Sequence, residues 1–181
     1  MPVSEQTYLK VAEEDPEGKW ELHRGALVRR PGMTSEHEDI SAYLGASLIA
    51  QLPRDQYRVR IEGSRIRRSA DRYYVPDVMV VPTAVVLPQL GTGQLEVFRV
   101  PLPLVVAVWS KSTGRDDLRV KLPDYRARDD LEIWLIHPLE RTLTAWRRRA
   151  EGEYEEVVFR GGIVRPVALP GVEIDLDALF D

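Results

Sequence analysis

Two stretches of the chain are apolar at nearly every position, while most of the remainder alternates. Val78-Met79-Val80-Val81, entered through Pro76-Asp77 and closed by Pro82, and Leu104-Val105-Val106-Ala107-Val108-Trp109 have strand length and the unbroken apolar character of central strands buried on both faces. Upstream, Ile40, Leu44, Leu48 and Leu52 recur at four-residue steps and stop at Pro53, which predicts a helix laying an apolar stripe on a sheet. Ser35-Glu36-His37-Glu38 at its start has capping-box spacing, so the serine hydroxyl and the glutamate are expected to satisfy each other's free amides. His37, three residues before Ile40, then turns toward the packed face. A shorter helix from Ser4 to Glu14, with Tyr8, Val11 and Ala12 on one side, ends at Asp15-Pro16-Glu17-Gly18.

Period-two patterns fill the intervals. Trp20 to Arg30 alternates about Gly25 and predicts a hairpin, with His23 and Arg24 in its turn and Glu21 on its first strand. From Tyr57 to Arg68, Tyr57, Val59 and Ile61 fall on one side and Arg58, Arg60 and Glu62 on the other; Gly63-Ser64 reads as the turn of an arginine-faced hairpin. Leu131 to Ile136, Thr142 to Trp146 and Tyr154 to Phe159 read as strands at the far edge of the sheet, and a short helix begins at Asp175. Thr83 to Pro103 has no period and carries Pro88, Gly91, Gly93, Pro101 and Pro103, so it reads as a long surface loop. After Trp109 a polar turn, Ser110 to Gly114, delivers a helix near Asp116 that Pro123 bends. Together these predict an α/β fold spanning residues 1–181 as one domain, with a mixed central β-sheet flanked by helices and an N-terminal hairpin extension.

Composition narrows the chemistry. A chain of 181 residues can bury a core without staples, and the absence of cysteine excludes disulfides, thiolate metal sites and cysteine nucleophiles. MPVSEQTYLK has no basic segment followed by an apolar one, and no apolar run approaches the roughly 20 residues that span a bilayer. A soluble, cytoplasmic protein with no membrane partner is expected. Net charge is −4, yet the cations are almost all arginine, with Arg54, Arg58, Arg60, Arg65, Arg67, Arg68 and Arg72 in one short span. Guanidinium forks suit phosphate oxygens, and they equally suit the solvated face of a hairpin. Both readings stand at this point.

Asp117, Lys121 and Tyr125 lie at successive four-residue steps and project from one side of their helix. Metal-assisted phosphodiester hydrolysis needs carboxylates to hold a hard divalent ion, and a cation near the attacking or leaving oxygen. Asp77 at a strand entrance, Lys121, and Glu21 as an auxiliary acid supply part of that set. Ala107 stands where an acid on the second central strand would complete it. Plainer roles remain open: Asp77 as a strand cap, Lys121 as a solvated lysine, His37 as a core-facing residue, Asp117 and Tyr125 as supports for the lysine or its helix. Ser110 and Thr113 read as partners of the helix N-terminus, since no histidine lies near them in sequence to activate a hydroxyl.

In this order and spacing the residues resemble the Uma-type restriction endonucleases of the PD-(D/E)XK nuclease superfamily over nearly the whole chain. Trp20-Glu21-Leu22 with Gly25 and Leu27 is similar to the family's N-terminal hairpin, and Ser35-Glu36-His37 to its SPEH helix start. Tyr74-Val75-Pro76-Asp77-Val78 is similar to its PD strand, and Leu104 to Thr113 to its LVVEVLSPST strand. Asp117-Leu118 with Lys121 and Tyr125 matches its helix, and Glu132-Ile133-Trp134 its EYW strand. The resemblance implies the restriction-endonuclease-like fold, DNA as substrate, a homodimer, and Mg²⁺ or Mn²⁺ held by Asp77 and the glutamate of an EV dipeptide, with Glu21 nearby. It also implies that the family's lysine has moved from the strand position of Trp109 to Lys121. The chain departs where Arg24 and Ala26 replace an Asp and a Glu of the hairpin, where His137 replaces an aspartate, and above all at Ala107, which offers no ligand. The resemblance therefore implies a divalent-metal-dependent DNA endonuclease with one metal carboxylate missing. The alternative is a non-catalytic nucleic-acid-binding or dimerisation module, in which Arg58, Arg60, Arg65, Arg67 and Arg68 would grip phosphates.

Overall fold

The two apolar runs become adjacent central strands. In the computed structural model, which describes residues 1–181, the elements in chain order are α1 (Glu5–Glu14), β1 (Glu21–His23), β2 (Ala26–Val28), α2 (Ser35–Gln51), β3 (Tyr57–Ile61), β4 (Arg65–Ser69), β5 (Arg72–Tyr74), β6 (Val78–Pro82), α3 (Thr83–Val86), β7 (Val97–Phe98), β8 (Leu104–Val108), α4 (Gly114–Asp116), α5 (Leu122–Ala127), β9 (Glu132–His137), β10 (Thr142–Arg148), β11 (Tyr154–Phe159), β12 (Ile163–Val164), β13 (Ile174–Asp175) and α6 (Leu176–Leu179). A six-stranded sheet runs β11-β10-β9-β8-β6-β3 and is mixed, with only β8 and β9 parallel among its neighbours. A second sheet of five strands runs β2-β1-β5-β4-β7.

Alternation along β8 divides the core. Leu104, Val106 and Val108 face α2, where Ile40, Leu44 and Leu48 form the predicted stripe, together with the C-terminal Leu176 and Leu179. Val105 and Ala107 face the other way, toward Tyr125 of α5 and toward Ile66, Tyr74 and Phe98 of the second sheet. α1 covers the outer part of that sheet, burying Tyr8 and Ala12 against Leu22 and Tyr73.

Four local expectations change. β3 and β4 are not a hairpin: β3 pairs with β6 in one sheet, while β4 pairs with β5 and β7 in the other. Gly63-Ser64 is thus a crossing between sheets. The β1-β2 turn is Arg24-Gly25, since His23 pairs with Ala26 and both turn residues have positive φ, 50° and 81°. That is the two-residue geometry matching strand twist, for which glycine is the natural second residue. The cap of α2 is Thr34, whose side chain accepts from the His37 amide, one residue earlier than the capping box placed it. The segment Thr83 to Pro103 contains α3 and β7, the latter too short to leave a periodic signal.

Between α4 and α5 the helix widens into a π-turn over Asp117–Lys121, with the Leu122 amide donating to the Asp117 carbonyl. Pro123 follows at once, has no amide to give the regular ladder, and the wider turn accommodates it. Asp117, Lys121 and Tyr125 are all buried there.

Candidate functional site

Antiparallel pairing of β6 with β8 ends at Val78 and Val106; just beyond it the Asp77 amide donates to the Val106 carbonyl at 3.0 Å, which brings Asp77 beside the strand end that carries Ala107. Asp77 is buried and its carboxylate is ringed by protein donors. Arg30 Nη2 donates to Oδ1 at 2.7 Å, His37 Nε2 lies 3.2 Å from the same oxygen, and the Val108 amide donates to Oδ2 at 2.6 Å. Burial alone would raise this carboxyl; the Arg30 charge and His37 overcome it and hold it well below the usual range.

Glu21 is equally buried and equally engaged. Its Oε1 accepts from the Val75 amide at 2.8 Å and from Lys121 Nζ at 3.0 Å, and Oε2 lies 2.7 Å from His23 Nε2. Against the effect of burial, Lys121 first and then His23 and Arg30 lower its carboxyl to about 2. Lys121 also reaches Asp117 Oδ1 at 3.1 Å. Burial pushes the Asp117 carboxyl up, with Lys121 acting in the opposite direction. Tyr125 packs edge-on against Tyr74, and burial drives its hydroxyl well above its ordinary range. Asp117, Lys121 and Tyr125 therefore share one buried side of their helix, and Lys121 joins that row to Glu21.

Arg30 is the participant that the reading of the sequence missed. Its side chain is 7% exposed, Nη1 donates to the Val75 carbonyl at 2.9 Å, and Nε lies 4.0 Å from Glu21 Oε1, so the guanidinium spans Asp77 and Glu21. The signal was present in the hairpin register: Val28 opposes Glu21, and Arg30, two residues on, continues along the same side. Trp109, at the strand position that the resemblance gives to the family's lysine, stacks on His137 with ring centroids 4.1 Å apart. A Cβ on Gly114 would sit 1.9 Å from the Trp109 Nε1, so glycine is required for this approach.

His37, Glu62 and Asp77 bring ligand-type atoms within 4.8 Å of one another. Glu62 takes a left-handed φ of 52° and donates its amide to the Asp77 carbonyl at 3.0 Å. His37 Nδ1 is 3.7 Å from Glu62 Oε1 and neither atom has a hydrogen-bond partner. His37 Nδ1 faces Glu62 and Nε2 faces Asp77, and an ion drawing on these three would compete with the Arg30 and Val108 donors already on the Asp77 carboxylate. Magnesium requires an octahedron of oxygens at roughly 2.0–2.1 Å. The residues here do not fit that demand: both named carboxylates are occupied by protein donors, a guanidinium lies between them, and position 107 offers a methyl group.

The five arginines expected to meet phosphate are dispersed. Arg65 is 3% exposed and donates to the Tyr8 hydroxyl at 3.1 Å. Arg60 forks onto Glu96 at 2.6 and 3.0 Å, Arg67 pairs with Glu5 at 2.6 Å, and Arg68 lies 3.9 Å from Asp124. Arg58 donates to the Arg54 carbonyl. Burial raises the Glu96 carboxyl, but hydrogen bonds from Arg60 and Ser64 bring it below its ordinary 4.5. A depressed folded-state value means this pair contributes stability above pH 4.5 and loses it as pH falls below that value. Urea unfolding across pH 3 to 6, a range set by these carboxyl values, should show a shallower acid-side decline in Glu96→Gln than in the parent.

Residues 5–177 match the family model Uma2, described as "Putative restriction endonuclease". No curated protein matches the chain. Among solved structures, a crystal structure from Anabaena variabilis described as "a putative nuclease belonging to DUF820" superposes with a TM-score of 0.80 at 20% identity, covering 99% of this chain and 98% of that one. It shares the fold of this chain, a mixed α/β arrangement of sheets flanked by helices. No helix is long and apolar enough to cross a membrane. With the family match extending over nearly the full length, the chain belongs to the Uma2 family.

Proposed function

We propose that this protein is a nucleic-acid-binding member of its nuclease family that does not hydrolyse phosphodiesters by the metal-dependent route. The observation that carries the reading is the state of Asp77, its carboxylate taken up by Arg30, His37 and the Val108 amide, with Ala107 on the neighbouring strand offering only a methyl group. Without a vacant pair of acidic oxygens, no water is lowered in pKa beside the scissile phosphate and no cation spans its developing charge. The nucleic-acid side rests on the family and on the rim of the site. Arg29 and Lys111 are exposed there, in clefts of about 560 and 330 Å³ that meet at Gly32.

Two assays test the reading together. Supercoiled plasmid incubated with the protein and Mg²⁺ or Mn²⁺ should remain intact. A fluorescent duplex should bind at low salt, with log affinity falling by about 0.9 per phosphate contacted for each tenfold rise in salt, and Arg29→Ala/Lys111→Ala should weaken it without altering the fold. Nicking that disappears in Asp77→Asn, or no duplex binding at low salt, contradicts the proposal.

A further inference from the structure

A divalent ion between two carboxylates is neutral as a unit, and so is a guanidinium on one carboxylate. The second arrangement is found here: Arg30 on Asp77, with Ala107 on the neighbouring strand beside the Val108 amide that donates to Asp77. The guanidinium is aimed by more than charge, since Nη1 is fixed by the Val75 carbonyl, Nη2 by Asp77, and Nε points toward Glu21 with no hydrogen-bond partner of its own. It therefore sets a positive charge against Asp77 and toward Glu21, where the resemblance would place a metal.

We propose that Arg30 is a built-in replacement for the divalent ion, and that positions 30 and 107 form a compensating pair, so that metal affinity appears only when both are changed. This rests on the metal-free reading above and goes beyond it by naming what blocks the ion. A glutamate placed alone at 107 would stand next in the chain to Val108, whose amide donates to Asp77 at 2.6 Å, and would give Arg30 a second carboxylate. Ala107→Glu is then a tighter internal ion cluster, with no gain of metal. Removing the cation as well leaves two adjacent buried carboxylates that repel each other, and a divalent ion relieves that repulsion.

The test is calorimetric titration with MnCl₂ of the full chain and its Ala107→Glu, Arg30→Met/Ala107→Glu and Arg30→Gln/Ala107→Glu variants, each checked for folding by circular dichroism. The glutamine variant keeps a donor for Val75 and Asp77, and decides the matter if the methionine variant does not fold. The expected result is saturable one-site binding in the double variants only, with a melting temperature that rises with Mn²⁺ and a signal abolished by adding Asp77→Asn. Binding by Ala107→Glu alone as tight as in the double variants overturns the proposal, as does a folded double variant that binds no Mn²⁺. Failure of the metal-free reading is a separate event, seen as plasmid nicking by the unsubstituted protein.

Discussion

Replacing Arg30 by methionine is expected to lower folding stability by about 3–5 kcal/mol, the usual consequence of removing one partner from a buried ion pair. Most of that loss is the cost of leaving the other partner charged and uncompensated. Asp77 is 2% exposed, and without Arg30 it retains only His37 and the Val108 amide. The Val75 carbonyl loses its Nη1 donor as well. If this is the origin of the loss, a second change that discharges the partner should recover part of it. Asp77→Asn can still accept from Val108 but carries no charge, so Arg30→Met/Asp77→Asn should be more stable than Arg30→Met, with a coupling energy of about 1–3 kcal/mol in a double-mutant cycle. Urea titration of the four proteins checks this. Additive losses would mean that Arg30 stabilises by packing alone.

Lys121→Met is the second large effect, with an expected loss of about 3 kcal/mol. Lys121 is 3% exposed and touches two carboxylates, Glu21 at 3.0 Å and Asp117 at 3.1 Å. The two anions will not respond alike. Glu21 keeps His23 and the Val75 amide as donors, so it remains ionised, whereas burial already pushes the Asp117 carboxyl up and loss of the lysine removes its main opposing charge. Asp117 should then take up a proton more readily than in the parent, or be relieved by substitution. Lys121→Met/Asp117→Asn is accordingly expected to be more stable at pH 7 than Lys121→Met, by thermal unfolding. A double variant less stable than the single one would show that Asp117 is held by something other than Lys121.

The parts of this molecule that could be read along the chain are those whose physics is local. Continuous apolar runs mark β6 and β8 because both faces of each are covered, and the four-step row Ile40, Leu44, Leu48 marks α2 because one face is. Asp117, Lys121 and Tyr125 were placed together by helical spacing, and a π-turn did not undo it, since all three still point into the buried side. What escaped was set by pairing at a distance. Tyr57 to Arg68 has the pattern of one hairpin, yet β3 and β4 serve different sheets, and that split commits Arg60 to Glu96 and Arg67 to Glu5. Arg30 escaped for the same reason: its partner Asp77 lies 47 residues away, and only the assembled register brings them together. Ala107 was legible as the position where the resemblance expects an acid; that Arg30 lies on the Asp77 carboxylate was not.

Calorimetric titration of the unsubstituted chain with MnCl₂ in chelator-free buffer tests the central claim most directly. Heats indistinguishable from dilution are expected, because Asp77 and Glu21 are already paired with Arg30 and Lys121. A saturable one-site isotherm that vanishes in Asp77→Asn would contradict it.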